Sequence, residues 1–394
     1  MCIYNKMQST RITLQTTGEQ DRYLTDNPIH THFKTNYRQH TEFGSDWIVV
    51  GNDNKNISSI AANSSFYFRI EKDGDLINNL FLRLKLEKDD NWKSSQLGLY
   101  ETALKIIDRV EFLNNDQVIS SMSSDYMFSY FELHYSKAEK KALFDMISYD
   151  KSSVGESSNY VTLYLPLPLW FHKNPGNAFP LWALNNPNVG INIKTGDYGN
   201  LNIVENIELL VDFGFLDNKE KEQFTNKPLE YLIEVPEKLD NITLSGLAET
   251  KKLNLIKTHF VRYLLWNIQE DGKFNYLDDV ENANISFNGN PLISNAPGSF
   301  YNRVMRYMNF ESNGTLHSTN GDFNKNTYSN IYTYSFCLNP TSQKLSGYLT
   351  TEKFNNVEIE INTKSSGNSR ILNVYLVKHN IMRVSNGVLN LLYN

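Results

Sequence analysis

The chain has 394 residues, 40% of them hydrophobic, and a formal net charge of −6, which fits two domains that fold without disulfide or metal support. The acidic balance and the lack of a Lys/Arg cluster argue against a nucleic-acid binder, and two cysteines, Cys2 and Cys337, exclude a disulfide framework. No apolar run is long enough for a membrane-spanning helix, and residues 1–21 lack the apolar core of a signal peptide, so we expect a cytosolic protein in a reducing compartment.

The composition favours strands and loops over helices. The chain contains about 50 asparagines, 23 tyrosines and 22 phenylalanines. Asparagine is unfavourable inside helices and common in turns, whereas aromatic residues favour strands. We therefore expect many short strands joined by polar loops.

The first half of the chain reads as a polar arm followed by strands. Residues 1–30 are polar and weakly patterned, and we interpret them as an N-terminal arm. Leu82, Leu84 and Leu86 alternate with Arg83 and Lys85, which is typical of a half-buried antiparallel strand. The predicted strands are Phe66–Ile70, Leu76–Leu86, two within Asp108–Ser120 around the turn at Asn114–Asp116, Tyr160–Leu165, Val189–Lys194 and Ile207–Phe215.

One segment of this half has helical spacing. Residues 124–147 carry aromatic and apolar side chains three and four positions apart, and Ser124 can cap the start. We predict one helix here, with its wet face formed by Glu139, Lys140, Lys141 and Asp145.

The second half repeats this plan after a charged linker. Residues 217–227 are charged, lack strand patterning and precede Pro228, so they are the best linker candidate. Beyond them we predict one helix at 299–308 and strands at Glu230–Val235, Asn254–Gln269, Ile285–Phe287, Asn330–Leu338, Val357–Asn362 and Ile371–Val377. The sequence therefore predicts an all-β fold of two tandem antiparallel sandwiches. The boundaries are an arm at 1–30, a first sandwich at 31–215, a linker at 216–228 and a second sandwich at 229–394.

Motifs for catalysis and for phosphate or metal binding are absent from the sequence. His30, His32 and His40 lie close together and could bind a metal, but no Cys or nearby carboxylate completes a site, so we favour polar residues at the start of an outer strand. Cys337 lies in a predicted strand, where a buried inert thiol is the ordinary outcome. We therefore predict that the protein is not an enzyme and has no catalytic, cofactor-binding or metal-binding residue.

Two further groups of residues have ordinary explanations. The pairs Asp73/Asp75 and Asp278/Asp279 read as solvated turn residues, with calcium as the alternative. Glycosylation sequons are an expected by-product of so many asparagines, and a cytosolic chain would not meet the modifying enzymes. They begin at Asn56, Asn63, Asn241, Asn284 and Asn313.

Four segments, in order along nearly the whole chain, resemble the major capsid proteins of nucleocytoplasmic large DNA viruses. The first, FKTNYRQHTEF at 33–43, is similar to the opening strand of that family. The second, LPLPLWFHKNPGNAFPL at 165–181, is similar to its L-P-F-W-F…N-P-G segment and continues to Ile193. The third, IYTYSFCLNP at 331–340, and the fourth, HNIMRVSNG at 379–387, are similar to its later motifs.

This resemblance implies a double jelly roll, in which each jelly roll is an eight-stranded antiparallel sandwich. Three copies would form a homotrimer, and these pseudo-hexameric capsomers would tile an icosahedral shell. The implied partners are the chain itself, minor capsid and penton proteins, and an inner viral membrane, with no direct contact to nucleic acid. The implied location is the virion, with assembly in the host cytoplasm.

Two other functions stay open at this point. A scaffolding protein of the same fold would line an immature virion membrane and be absent from the mature particle. A carbohydrate-binding or carbohydrate-cleaving protein built on tandem jelly rolls would explain the aromatic content. It would also need a cleft with two carboxylates about 5–10 Å apart.

Overall fold

A computed structural model describes most of the chain. The described residues are 18–20, 22–35, 37–51, 61–87, 102–148, 160–185, 187–197, 204–225, 228–239, 241–270, 273–274, 278–310 and 330–393. The chain divides into two units, Met1–Glu42 and Phe43–Asn394. The first unit contains the short helix α1 (Arg22–Thr25), and the described part of 33–42 forms neither helix nor strand. The predicted opening strand therefore starts only at the last residue of its motif, Phe43.

The strands up to residue 216 form two antiparallel sheets. One sheet has the order β1-β9-β3-β6, with β7 beside β3, and the other has the order β2-β8-β4-β5. The strands are β1 (Phe43–Val50), β2 (Ser65–Ile70), β3 (Leu76–Glu87), β4 (Ile107–Asn114), β5 (Gln117–Ser123), β6 (Tyr160–Pro166), β7 (Phe179–Pro180), β8 (Val189–Thr195) and β9 (Val204–Leu216). We call these two sheets the first sandwich.

Side-chain alternation and turn chemistry explain this sandwich. Leu82, Leu84 and Leu86 on β3 are fully buried, as their spacing predicts. The predicted turn between β4 and β5 is confirmed, and Asn115 and Asp116 both have positive φ, 48° and 65°. Such a turn matches the twist of a two-residue hairpin, and Asn and Asp tolerate it well.

The predicted single helix at 124–147 is two helices, so that prediction was wrong in detail. After α2 (Thr102–Ile106), the structure has α3 (Ser124–His134) and α4 (Lys137–Ile147). Ser136 begins α4 with a capping box, in which its side chain accepts from the Glu139 backbone N–H and Glu139 bonds back to Ser136. Lys140 is buried, so it does not belong to the wet face.

The linker and the second half follow the predicted plan with local differences. Helix α5 (Asn218–Thr225) occupies most of the linker. The predicted helix at 299–308 is a π-helical turn, Phe300–Val304, followed by α6 (Met305–Asn309). The predicted strand Asn254–Gln269 is wrong over residues 255–260, where Phe260 has a positive φ of 54° and interrupts the strand.

Two more antiparallel sheets form what we call the second sandwich. One has the order β10-β19-β13-β14, with β11 and β20 beside β19 and β17 beside β13; the other has the order β12-β18-β15-β16. The strands are β10 (Leu229–Lys238), β11 (Ile242–Leu244), β12 (Glu249–Asn254), β13 (Val261–Glu270), β14 (Lys273–Phe274), β15 (Val280–Phe287), β16 (Asn290–Pro297), β17 (Ile331–Ser335), β18 (Val357–Thr363), β19 (Arg370–Ser385) and β20 (Val388–Leu391). Short 3₁₀ turns lie at Pro175–Asn177, Leu181–Ala183 and Thr351–Lys353.

The antiparallel all-β fold class is confirmed. All named strand pairs are antiparallel, and the helices are short. Within the described residues, every strand pair joins strands of the same sandwich. The numerical domain boundaries given above stay a prediction.

Candidate functional site: the joint between the two sandwiches

Strand β13 is buried on both of its faces. Leu264 and Trp266 lie in the core of the second sandwich, where Trp266 stacks on Tyr332 with ring centroids 5.8 Å apart. Tyr263 and Leu265, on the opposite face, belong to the same continuous cluster of buried side chains as the core of the first sandwich. This strand therefore separates two cores.

Strand β19 alternates in the same way. Val374 and Leu376 point into the core of the second sandwich, whereas Tyr375 and Val377 join the cluster that extends from the first sandwich. We call this contact the joint: α3, α4 and β5 of the first sandwich against β10, the outer faces of β13 and β19, and α6 of the second. Burial of each large apolar side chain there contributes roughly 1.5–3 kcal/mol.

Helix α3 brings a polar network to the middle of the joint. The Asp125 carboxylate accepts hydrogen bonds from the Tyr375 hydroxyl and from Lys238 Nζ, the latter at 3.0 Å. Asn267 on β13 donates from Nδ2 to Ser129 Oγ at 2.9 Å. Burial, followed by the nearby Asp125 charge, raises the pKa of Tyr375 well above its usual value, so this hydroxyl stays a donor. The network fixes the register between α3 and the sheet beneath it.

A second network pairs three buried charged side chains. Glu132 Oε2 lies 3.1 Å from Lys140 Nζ on α4 and 3.0 Å from Arg306 Nη2 on α6. Both cations also donate to the Glu132 backbone carbonyl, each at 2.8 Å. Burial lowers the pKa of Lys140 to about 8 despite the attraction of Glu132. A buried carboxylate that holds cations from both sandwiches specifies their arrangement more than it adds net stability, because desolvation offsets most of the attraction.

The rim of the joint is held by amide side chains and backbone groups. Asn177 donates from Nδ2 to the Leu232 carbonyl at 3.1 Å, and Gln343 donates from Nε2 to the Trp170 carbonyl at 2.9 Å. Elsewhere on the rim, the Asn185 N–H donates to the Gly387 carbonyl at 2.9 Å. Gly387 has a positive φ of 79°, and a Cβ there would lie 2.2 Å from Asn185, so both backbone conformation and space require glycine.

The residues singled out from the sequence do not converge on a chemical site. The His30 and His32 rings are exposed and touch edge to face, with centroids 5.2 Å apart. Across the described ranges, no group of three or more His, Cys, Asp and Glu side chains is arranged to hold a metal ion. Cys337 is a buried free thiol, 3.5 Å from Ser335 Oγ.

The prediction of a solvated turn residue was wrong for Asp279. Asp279 is buried, accepts from Asn330 Nδ2 at 2.7 Å and faces the fully buried Arg370 guanidinium at 3.6 Å. Burial raises the pKa of Asp279, and Arg370 opposes that shift. Asp279 therefore holds the second sandwich together and is not a solvated turn residue. Asp75 is half-buried, accepts from the Leu216 N–H and pairs with Lys221.

The predicted sequons lie in different surroundings. Asn63 and Asn241 are exposed, whereas Asn284 is half-buried and bonded to Asn295. Asn56 and Asn313 lie outside the described residues. Among the described residues, none of the helices has the length and apolar character needed to cross a membrane.

Comparison with known proteins places this architecture in a family. Residues 31–217 match the family model described as the major capsid protein N-terminus. The major capsid protein of Pyramimonas orientalis virus is 26% identical and aligns over 96% of this chain and 97% of its own length. That of Paramecium bursaria Chlorella virus 1 is 24% identical over 95% and 97%. Over nearly its whole length, the chain is similar to major capsid proteins of nucleocytoplasmic large DNA viruses.

Solved capsid proteins share this fold. The crystal structure of PBCV-1 VP54, fitted into a reconstruction of the virophage Sputnik, superimposes with a TM-score of 0.78. It is 20% identical to this chain, and the match covers 92% of this chain and 100% of VP54. The Faustovirus major capsid protein gives a TM-score of 0.69 at 11% identity, over 98% and 99% of the two chains. The two sandwiches therefore correspond to the two jelly rolls of the double jelly-roll fold.

Proposed function

We propose that three copies of this capsid protein form a pseudo-hexameric capsomer, and that such capsomers tile an icosahedral shell. A trimer of double jelly rolls presents six similar units around its axis. That geometry is useful for tiling only if the two sandwiches of each chain keep a fixed arrangement. The joint supports the proposal because one continuous apolar cluster and buried charges from both sandwiches hold them together.

The oligomeric state tests this proposal directly. We expect the purified protein to sediment as a stable species of three times 45.5 kDa at micromolar concentration. Negative-stain images of that species should show a six-lobed outline. A stable monomer or dimer at that concentration would contradict the trimer.

The same proposal covers the partners of the shell. We infer that capsomers contact each other, minor capsid proteins and penton proteins, and that the shell lies over an inner membrane and makes no direct contact with nucleic acid. We infer assembly in the host cytoplasm and no catalytic role. The proposed domains are an arm at 1–30, jelly rolls at 31–215 and 229–394, and a linker at 216–228.

Particle composition separates this function from transient scaffolding. A capsid protein is a major band in purified mature particles, whereas a scaffold is present only in immature ones. We expect the major band, because the relatives that match this chain over nearly its whole length are named major capsid proteins.

A further inference from the structure

Three histidines are built into the joint and its rim. His134 is the last residue of α3, and His172 lies within the second motif segment, on the rim. His379 lies on β19, directly opposite Glu234 of β10. His172 and His379 are 6% and 3% exposed, and the Nε2 atom of His134 is shielded from solvent.

Each ring has one buried nitrogen without a hydrogen bond among the described residues. His134 Nδ1 lies 3.1 Å from the Tyr130 carbonyl, its ring stacks on Tyr130 at 4.1 Å, and its Nε2 has no hydrogen-bond partner among the described residues. His172 Nε2 lies 2.8 Å from the Tyr135 hydroxyl, and its Nδ1 has no partner within the described ranges. His379 Nδ1 is likewise without a hydrogen bond in the described structure.

A fixed positive charge faces two of these rings. The buried Arg262 guanidinium disfavours a positive charge on both His134 and His379. The Glu234 carboxylate already pairs with Arg262, which also donates to the Pro340 and Ser342 carbonyls, so Glu234 has little capacity left to neutralise a further cation. The other groups facing His134 are the Tyr130 and Pro340 carbonyls, which favour its protonation, and the side chains of Tyr263 and Phe310.

The charges around the third ring, that of His172, act in opposite directions. Lys173 disfavours a charge on His172, whereas Glu139 favours it. Lys173 and Glu139 form an ion pair of 2.9 Å, and Lys344 lines the same cavity from the second sandwich. That cavity has a volume of about 550 Å³ and reaches both His134 and His172, so solvent protons have a route to the joint.

We propose that the joint is an acid-responsive contact, which loosens when His134, His172 and His379 take up protons. Each proton would place a cation in a buried position beside Arg262 or Lys173, and separation of the two sandwiches would hydrate it. The inference concerns a single chain and does not depend on trimer formation.

The direction of the pH dependence follows from the ionisation of the rings. Burial, with Arg262, lowers the pKa of His134 to about 3 and that of His379 to about 4; burial, with Lys173, lowers that of His172 to about 4. A solvated histidine has a pKa of about 6.5, so the opened state binds more protons between these values. The three neutral rings therefore make their full contribution to stability above about pH 6.5, and this contribution is lost as the pH falls towards about 4.

The test follows apolar surface exposure in acid. The variants are the triple substitution His134→Gln/His172→Gln/His379→Gln and a control, His32→Gln/His40→Gln, in exposed positions. Binding of an anilinonaphthalene dye and far-ultraviolet circular dichroism are recorded from pH 7.5 to 3.5, with the oligomer mass measured in parallel. For the wild type and the control we expect dye binding to rise below about pH 6, before secondary structure is lost.

The dye-binding midpoint of the triple variant decides whether the three histidines cause the acid response. We expect its dye-binding midpoint to lie about one pH unit lower, since the released surface no longer depends on those protons. An unchanged midpoint, or an equal shift in the control, would overturn the inference. If the triple variant is unfolded at pH 7.5, the single His172→Gln and His379→Gln variants decide, because each should lower the midpoint and an unchanged midpoint in both would refute the proposal. A monomer that still shows the shift would contradict only the trimer proposal.

Discussion

The two faces of β13 and β19 differ in the way they are buried. The inner face packs Leu264, Trp266 and Leu376 in the apolar core of the second sandwich. The joint face mixes Leu265 and Tyr375 with a polar network of comparable depth. Apolar packing tolerates many arrangements, whereas buried hydrogen bonds and ion pairs tolerate few. The inner face therefore supplies stability, whereas the joint face specifies how the two sandwiches meet.

The largest expected effect comes from removing the carboxylate shared across the joint. Glu132→Gln takes the negative charge away from Lys140 and Arg306, which are both buried. Loss of one partner of a buried ion pair destabilises by about 3–5 kcal/mol. Urea unfolding should show that decrease in the free energy of unfolding. A decrease under about 1 kcal/mol would show that contacts other than these ion pairs specify how the sandwiches meet.

Leu264 and Leu265 are adjacent on β13 but lie on opposite faces, so their variants test the two faces separately. Leu264→Ala and Leu265→Ala each delete a fully buried side chain and should destabilise by about 2–5 kcal/mol. Only Leu265→Ala should also speed amide hydrogen exchange in α3, because Leu265 shares a buried cluster with that helix. Equal exchange in α3 for the two variants would erase the distinction between the faces.

A smaller effect is expected at the start of α4. Ser136→Ala removes the capping box and should decrease stability by about 1 kcal/mol, measured by thermal or urea unfolding. Ser123 is the matched control, because it precedes α3 without a side-chain cap bond and instead meets the Tyr375 hydroxyl at 2.7 Å. The expected pattern is faster exchange confined to α4 in Ser136→Ala, and confined to β5 and β19 around Tyr375 in Ser123→Ala; the reverse would contradict it.

The smallest effect is expected for an ion pair in solvent. Lys173 and Glu139 are 53% and 45% exposed, and such pairs contribute about 0–1 kcal/mol. Lys173→Met should therefore change the unfolding midpoint in urea very little. A loss as large as that of Glu132→Gln would show that burial does not govern the energetics of these contacts.

Sequence patterns predicted the strands that have one solvent-exposed face and one buried face. Strand β3 is such a case, because Leu82, Leu84 and Leu86 alternate with charged residues. Strand β13 is not, because its segment YLLW is apolar on both faces, so periodicity does not predict which core each face joins. The joint was therefore missed, although a continuous apolar run in an antiparallel protein is a signal for a strand covered on both sides.

The role of the charged residues in the joint could not be predicted from the sequence, for a related reason. Lys140 follows the helical spacing of an exposed residue, and only Glu132 on the preceding helix and the distant Arg306 explain its burial. The break between α3 and α4 was visible in principle, since Ser136 and Glu139 have the spacing of a capping box. Contacts between residues far apart in sequence leave no periodic pattern, so a single sequence cannot reveal them.

A double-mutant cycle between Glu132 and Arg306 tests most directly whether buried charges bind the two sandwiches together. The free energies of unfolding of the wild type, Glu132→Gln, Arg306→Gln and the double variant would be compared. We predict a coupling of at least about 1 kcal/mol, as expected for contacting residues in one buried network. Additive effects, with a coupling near zero, would contradict a specific ionic contact across the joint.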